Sequence, residues 1–387
     1  MKIAIVCIVK NECDYILEWL AYYRAVLGVN NFIIADNVSD DGTSQLLEAL
    51  DQSKIIKRVH FPRIEMERGI QADAYNHILK EYGSQYDYMA FVDADEFIVN
   101  NTGLNFNKLL KHIAGKSDAG AIALNWRNFG SSGNYYQTQQ LVIERFIWAS
   151  RPEHKYNRHI KSILKPSAIR EMFIHHAHLK KGKYYYDLDG KTQFVDSITD
   201  QQELGEGHVS PFSKAIKNHD LYVAHYVVKS KDEHMTKKAK RGSAAGKASR
   251  QKGVGYFKGH DLNQLECHDL YKHVDAVVAE VHDINTVLKN KSLFYSRLIT
   301  HVDKFDDILV GWVGVKKNED IIIKVLVDGI NEHEHKLSIS RPDVVEAGIS
   351  SIDNCGFSLN LSSYNKNALK VWIKGSNVVL WDGSKGY

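Results

Sequence analysis

The first hundred residues alternate between two hydrophobic periods. Ile3–Val9 is an unbroken apolar run rich in β-branched residues, as expected of a strand covered on both faces. Asn11 suits an N-cap, and Ile16, Trp19, Leu20, Tyr23 and Leu27 then recur at helical spacing until Gly28 closes the pattern. The same reading predicts strands over 32–35, 55–60 and 88–92 and helices over 43–50 and 71–82. This βαβαβαβ order predicts a parallel, doubly wound sheet with right-handed crossovers. From 119 to about 226 the pattern loosens, with strands expected over 121–126 and 161–164. Residues 229–250 are strongly basic and then rich in small side chains, and 262–288 is charged and helical in period. From about 307 onward, short β-rich runs such as IIIKVLVDG and ALKVWIKG are separated by Gly, Asn and Asp turns, the signature of a small antiparallel sandwich. The expected organisation is an α/β domain over 1–242, a basic and helical linking region over 243–300, and a C-terminal β-rich domain over 301–387.

Composition narrows this little. A chain of 387 residues is too long for one ordinary domain, and 44% hydrophobic with 25% charged residues is ordinary for a globular protein. The net charge of +3 is too mild to argue for nucleic acid. Cys7, Cys13, Cys267 and Cys355 lie far apart with no CxxC pair, and read as reduced thiols, not as a disulfide frame or zinc site. Met1-Lys2 runs straight into the first strand, so no signal peptide is expected, and no run approaches 18 apolar residues. The expected location is cytoplasmic. Local clusters of basic residues are compatible with peripheral contact at the inner membrane surface.

The densest chemistry lies in MAFVDADEF, residues 89–97, where an apolar strand stops at Asp93, Asp95 and Glu96. Three carboxylates in four residues cannot be buried unpaired, so the expected place is just past the carboxyl end of the strand, where open α/β sheets bind ligands. Two Asp one residue apart can offer oxygens to a hard divalent cation, which in turn can hold a diphosphate. The bland alternative is a solvated acidic turn. A second acidic loop, DNVSDDGT over 36–43, follows the second strand and opens onto the same edge. It reads equally as an Asx-rich turn capping the next helix. Together the loops frame a crevice that fits a nucleotide, with hydroxyl contacts from one and cation and diphosphate at the other.

Here a resemblance enters. DNVSDDGT resembles the DDGSTDGT-type turn of family 2 glycosyltransferases, and VDADEF is similar to their DxD motif. Lys10-Asn11-Glu12-x-x-Tyr15-x-x-Glu18-Trp19 and the later His225-Tyr226-x-x-Lys229-Ser230 resemble the family 2-like group related to glycosyltransferase family 92, over roughly residues 1–242. Asn37 departs from the pattern, where family 2 members carry a second Asp. The resemblance implies a GT-A fold and Mn²⁺ or Mg²⁺. The donor would be a nucleotide-diphosphate sugar, most simply a UDP-sugar, and the acceptor a glycan or glycolipid. It implies Asp36 and Asp41 at the nucleoside, Asp93 at the ribose or metal, Asp95 at the metal, and His225 completing the metal shell. His225 also reads as a core residue of a VAHYVV strand. Arg68, Gln71 and Asn76 match positions facing the donor sugar, or else are surface and capping residues. Lys229 and Arg241 would donate to phosphate, with Lys237 and Lys238 on a solvated face.

Inverting transfer, again implied by the resemblance, needs charge stabilisation for the leaving diphosphate and a base for the acceptor hydroxyl. Asp95, His225 and Lys229 suit the first task. Glu144 is the first candidate for the base, with Asp187, Asp189 and Asp196 as alternatives. The expected product is a bacterial surface polysaccharide or lipooligosaccharide, and the C-terminal domain is expected to serve acceptor binding or homo-oligomer contacts. Trp312, Phe357, Trp372 and Trp381 are its expected packing residues. GSAAGKAS over 242–249 lacks the spacing and final hydroxyl of a P-loop, and adjacent His175 and His176 on a strand would point to opposite faces. A nucleotidyltransferase or sugar-phosphate pyrophosphorylase would carry a Gly-rich basic loop where KNECDY stands. A non-catalytic carbohydrate-binding protein would not need the Asp93/Asp95 pair.

Overall fold

The computed structural model describes residues 1–39, 41–62, 69–135, 137–138, 140–195, 209–239, 252–289, 300–315, 321–327, 331–347, 349–374 and 379–383. The chain divides into two compact units, Met1–Tyr135 with Leu141–Ile284, and Tyr136–Gln140 with Asn285–Tyr387. Residues 252–284, expected in a linking region, are therefore part of the first unit.

In the first unit the opening elements follow the hydrophobic pattern: β1 (Ile3–Val9), α1 (Ile16–Ala25), β2 (Phe32–Asp36), α2 (Thr43–Gln52), β3 (Lys57–His60), α3 (Ile70–Tyr82) and β4 (Tyr88–Phe91). Strands β3, β2, β1 and β4 lie side by side and all parallel, as expected. Beyond β4 the sheet is mixed. The strand Ile160–Leu164 inserts antiparallel between β4 and β6 (Ala119–Asn128), and Tyr184–Asp187 continues parallel to β6. Leu221–His225 runs parallel to β6 on one side and antiparallel to β5 (Glu96–Asn100) on the other. The run of βα units is all-parallel because each crossover returns the chain to the same end of the sheet, whereas beyond β4 parallel and antiparallel neighbours are mixed.

Helix α1 shows how the pattern reaches the turn after β4. Trp19, Tyr22 and Tyr23 are buried, and each carries a polar tip that needs a partner. Trp19 Nε1 donates to the carbonyls of Asp93 and Glu96 at 3.1 and 3.0 Å. Tyr23 donates to the Glu96 carbonyl, and Tyr22 to that of Ile98. The face that buries α1 therefore also clamps the acidic turn. Gly28, at φ +66°, closes the helix in the left-handed region as expected. Asn11 is not its N-cap: it sits at φ 58°, the helix begins at Ile16, and the Asn11 amide instead donates to Ser39 Oγ.

The second unit is all-β apart from short helical turns. Thr300–Phe305, Ile308–Val313 and Gly356–Asn360 form one antiparallel sheet, and Asn331–Lys336, Ile322–Val327, Leu369–Ile373 and Val379–Asp382 another. Leu309, Val313, Ile323, Val325, Phe357 and Val371 fill its core. Trp381 packs on Phe305, and Trp312 joins a satellite cluster with Val344 and Cys355. Trp372 differs from expectation: it pairs with Lys324 on the opposite face of the strand from buried Val371 and Ile373. All four cysteines are free. Among the described residues, no helix is long and apolar enough to cross a membrane.

Candidate functional site

The turn Asp93-Ala94-Asp95 joins β4 to β5 at the carboxyl edge of the parallel strands. Asp93 is anchored from three sides: its Oδ1 accepts from Gln71 at 2.6 Å and Tyr75 at 3.3 Å, and Lys161 Nζ lies 2.9 Å away. Gln71 and Tyr75 stand one turn apart on α3, which explains why the helix before this strand faces the motif. Glu96 is fully buried, receives the Asp93 amide at 2.8 Å and lies 3.2 Å from Lys161. Burial pushes its carboxyl up, against the pull of Lys161, with Asp93 and Asp95 adding to the shift. Lys161 is the residue that sequence reading missed. Its signal was a lysine set in the apolar strand IKSIL, and the structure places its ammonium under the carboxylates.

Asp95 faces the other way. Its Oδ2 accepts from Lys238 at 2.8 Å, and its Oδ1 lies 3.8 Å from His225 Nε2. Burial alone would raise the Asp95 carboxyl, but the ammonium groups of Lys238 and Lys229 hold it well below the usual carboxylate range. His225 reaches this place because it ends the strand Leu221–His225, flanked in register by Glu96 and Asn128. Burial drives its imidazole well below the ordinary histidine value, against Asp95 and with Lys238, so the ring is neutral. Trp126 walls this side, its ring centroid 4.2 Å from His225, 4.5 Å from His159 and 5.3 Å from His175. His175 lies in the turn between Ile169–Met172 and Ala177–Leu179, not on a strand. Lys238, expected on a solvated face, is instead the Asp95 partner and also donates to the Val227 carbonyl at 2.6 Å.

Lys229 sits over the Tyr15 ring, 3.7 Å from its centroid, in a left-handed backbone conformation at φ 57°. Burial lowers its ammonium, against Glu12, Asp95 and Glu233. Asn11, Val38 and Lys229 all hold positive φ on loops at this edge, where such strain tends to mark function. The segment after Lys229 is fixed by a capping box between Ser230 and Glu233. Glu233 in turn makes a bidentate pair with Arg145, at 2.8 and 3.0 Å, and accepts from the Tyr15 hydroxyl.

The loop after β2 is built differently. Asp36 is fully buried, with Oδ1 accepting from Ser44 at 2.9 Å and Oδ2 taking a forked pair from Arg58 at 3.0 and 2.7 Å. Asp41 accepts from the Thr43 amide and hydroxyl, at 2.9 and 2.6 Å, and from the Cys13 amide at 3.2 Å. Both carboxylates, expected at a nucleoside, hold the loop itself. The Asn76 side chain brackets the backbone of Met172, donating to the carbonyl at 2.7 Å and accepting the amide at 2.9 Å. Asp187 and Asp189 share Lys217 in a hairpin turn, at 2.8 and 2.9 Å. Glu144 stands on the short helix Val142–Arg145, whose first amides are capped by buried Glu18 at 2.8 and 3.0 Å. Arg68, Asp196 and Arg241 lie outside the described residues.

Fold and site together define a GT-A architecture with an acidic turn at the carboxyl edge of its parallel strands, followed by an all-β unit. The model of glycosyltransferase family 92 matches residues 3–241, and the chain belongs to that family. A family 92 protein of Oryza sativa subsp. japonica is 27% identical over 184 residues, covering 46% of this chain and 30% of that protein. One from Ricinus communis is 27% identical over 194 residues, covering 49% and 33%. The chain thus spans about a third of the length of the curated relatives it matches. Among solved structures, S. aureus TarS is similar at 12% identity and a TM-score of 0.32, covering 98% of this chain and 77% of that one. Its residues 1–349 in complex with UDP-GlcNAc give 16% identity and a TM-score of 0.30, covering 49% and 57%.

Proposed function

We propose that this chain is a divalent-cation-dependent, inverting glycosyltransferase that moves a sugar from a nucleotide-diphosphate donor, a UDP-sugar, to a saccharide or glycolipid acceptor. Membership of family 92 supports the reaction class. The observation that carries the cation is the Asp95–His225 pair: a carboxylate oxygen and a neutral imidazole nitrogen 3.8 Å apart. Among the described residues no three His, Cys, Asp or Glu side chains are grouped to hold a metal. A two-residue protein set leaves the other positions to diphosphate and water, which is how Mg²⁺-type ions are commonly held at nucleotides. Asp93, whose Oδ1 serves Gln71, Tyr75 and Lys161, is assigned to the ribose.

When bound there, Mn²⁺ or Mg²⁺ supplies positive charge to the leaving diphosphate. Lys229 and Lys238 add their ammonium groups from the same side, and Lys238 is released from Asp95 as the phosphates arrive. Asp93 and Gln71 form the rigid floor under the ribose and donor sugar, held in place by buried Lys161. Trp126 and His159 shape the wall past His225 and exclude water from the anomeric carbon. Glu144 is the proposed base, deprotonating the acceptor hydroxyl for a single in-line displacement. Asp187 and Asp189 are poor alternatives, since Lys217 and their own turn engage them. The curated relatives are plant proteins, so a bacterial surface polysaccharide or lipooligosaccharide product rests on the sequence reading alone. A panel of nucleotide sugars incubated with the protein, with and without Mn²⁺, tests the reading through slow donor hydrolysis. Cation-dependent release of nucleoside diphosphate from one donor is expected. No release from any donor under either condition overturns it.

A further inference from the structure

A chain of amides runs inward from His225, and backbone groups fix its direction. Asn157 is fully buried on the turn Lys155–Arg158. Its Nδ2 donates to the carbonyls of Arg151 and Pro152, at 2.9 and 3.0 Å. Its Oδ1 accepts the Asn128 backbone amide and the Ser150 hydroxyl, each at 3.1 Å. Carbonyls cannot donate and a backbone N–H cannot accept, so this amide has one allowed orientation. The constraint passes to Asn128, at the end of β6. The group 2.9 Å from Asn157 Oδ1 must be the Asn128 NH₂, so the group 3.1 Å from His225 Nδ1 is the Asn128 oxygen. An amide oxygen only accepts, so Nδ1 of His225 carries a hydrogen. A ring that ligates a cation must be neutral, so with Nδ1 keeping its hydrogen the Nε2 lone pair is the ligating one, aimed at Asp95 Oδ1 across 3.8 Å. Two acceptors facing each other at that distance make no hydrogen bond. A cation between them resolves the arrangement.

The geometry points to Asn128 and Asn157 as positioning residues that lock His225 in its Nδ1–H tautomer and reserve Nε2, opposite Asp95, for a divalent cation. This rests on the proposed cation role of Asp95 and His225 and adds the machinery that keeps the imidazole ready for it. Histidine ligands generally have their other N–H held in this way, and loss of the holder typically costs about 10–100-fold in metal affinity. A merely structural amide network would satisfy buried polar groups without dictating the tautomer or the affinity.

The full chain, labelled with ¹⁵N-histidine, gives the tautomer directly in long-range ¹H–¹⁵N spectra. His225 is assigned by the signal that disappears in His225→Gln. In the wild type without metal the Nδ1–H pattern is expected, and Mn²⁺ should broaden that ring before the other histidines. In Asn128→Leu the pattern shifts toward Nε2–H, and Mn²⁺ affinity measured by calorimetry without donor falls roughly tenfold or more. Asn128→Asp keeps an acceptor toward Nδ1 and restores the tautomer and most of the affinity. An Nε2–H pattern in the wild type overturns the lock, and so does unchanged Mn²⁺ affinity in folded Asn128→Leu. If Asn128→Leu does not fold, the wild-type tautomer and the Asn128→Asp affinity still decide. A wild-type His225 in the Nδ1–H form that Mn²⁺ never touches overturns the cation reading on which the lock depends.

Discussion

In the loop after β2, Asp36 gives one oxygen to Ser44 and the other to Arg58, and Asp41 ties Thr43 to the Cys13 backbone. In the turn after β4, Asp93 is anchored through Oδ1 and is part-exposed, and Asp95 meets a lysine on one oxygen and an imidazole nitrogen across a gap on the other. The two loops share an edge of the sheet and nearly the same acidic composition. What separates them is how far their oxygens are already engaged inside the fold. A carboxylate with both oxygens held by buried donors is part of the scaffold, and one whose oxygen faces a fixed acceptor suits a cation.

The sharpest way to break this comparison is to remove the charge beneath the second turn. Lys161→Met strands Glu96 and Asp93 together without their ammonium, and should cost about 3–5 kcal/mol in urea unfolding, the usual cost of halving a buried ion pair. A loss near zero would mean that the turn is not held as described.

Removing the carboxylate of the first loop should be milder. Asp36→Ala leaves Arg58 and Ser44 without their acceptor, worth about 1–3 kcal/mol of stability. Nucleotide affinity, measured by calorimetry, should change little, because both Asp36 oxygens are engaged by Ser44 and Arg58. Lost affinity at unchanged stability would put Asp36 at the nucleoside and collapse the contrast between the loops.

The segment bearing Lys229 and Lys238 carries its own pH signature. Burial alone would raise the Glu233 carboxyl, but Arg145, Ser230 and Tyr15 hold it far below its ordinary value of 4.5. A depressed acid stabilises the fold above its unfolded value, and that contribution fades as pH falls toward the folded value. Wild-type stability should therefore drop on acidification below pH 4.5, and Glu233→Gln should flatten that limb. Parallel acid limbs for the two proteins would remove Glu233 from the account.

The smallest effect concerns Lys238, which competes for Asp95 Oδ2. In Lys238→Met, Mn²⁺ alone should bind slightly tighter while nucleoside diphosphate binds more weakly. Both affinities moving the same way would show that Lys238 does not exchange Asp95 for phosphate.

Much of this was legible in the residues. The periods of Ile3–Val9, α1 and β4 placed the parallel strands, and the acidic stop at Asp93 placed the turn that follows β4, because both are local and backbone geometry reads them directly. The mixed half of the sheet was not legible: that Ile160–Leu164 runs antiparallel between β4 and β6 is set by contacts distant in sequence. The same reason hid Lys161 and misassigned Lys238, whose partners lie 68 and 143 positions away. Asn76 and Asp36 show the converse: engagements inside the fold that residue type alone does not reveal. Their residue types suited a ligand, but nearby backbone and Arg58 had claimed them.

The central claim is that Asp95, with His225, holds the cation that makes donor cleavage fast. The direct measurement is the Mn²⁺ dependence of nucleoside diphosphate release in Asp95→Asn beside the wild type, with unfolding followed in both. Asp95→Asn should lose roughly 10²-fold or more in rate, on the scale of removing a key charge-stabilising group, with most of the Mn²⁺ dependence gone in a protein that still unfolds cooperatively. An equal rate with an unaltered Mn²⁺ response in Asp95→Asn would contradict it.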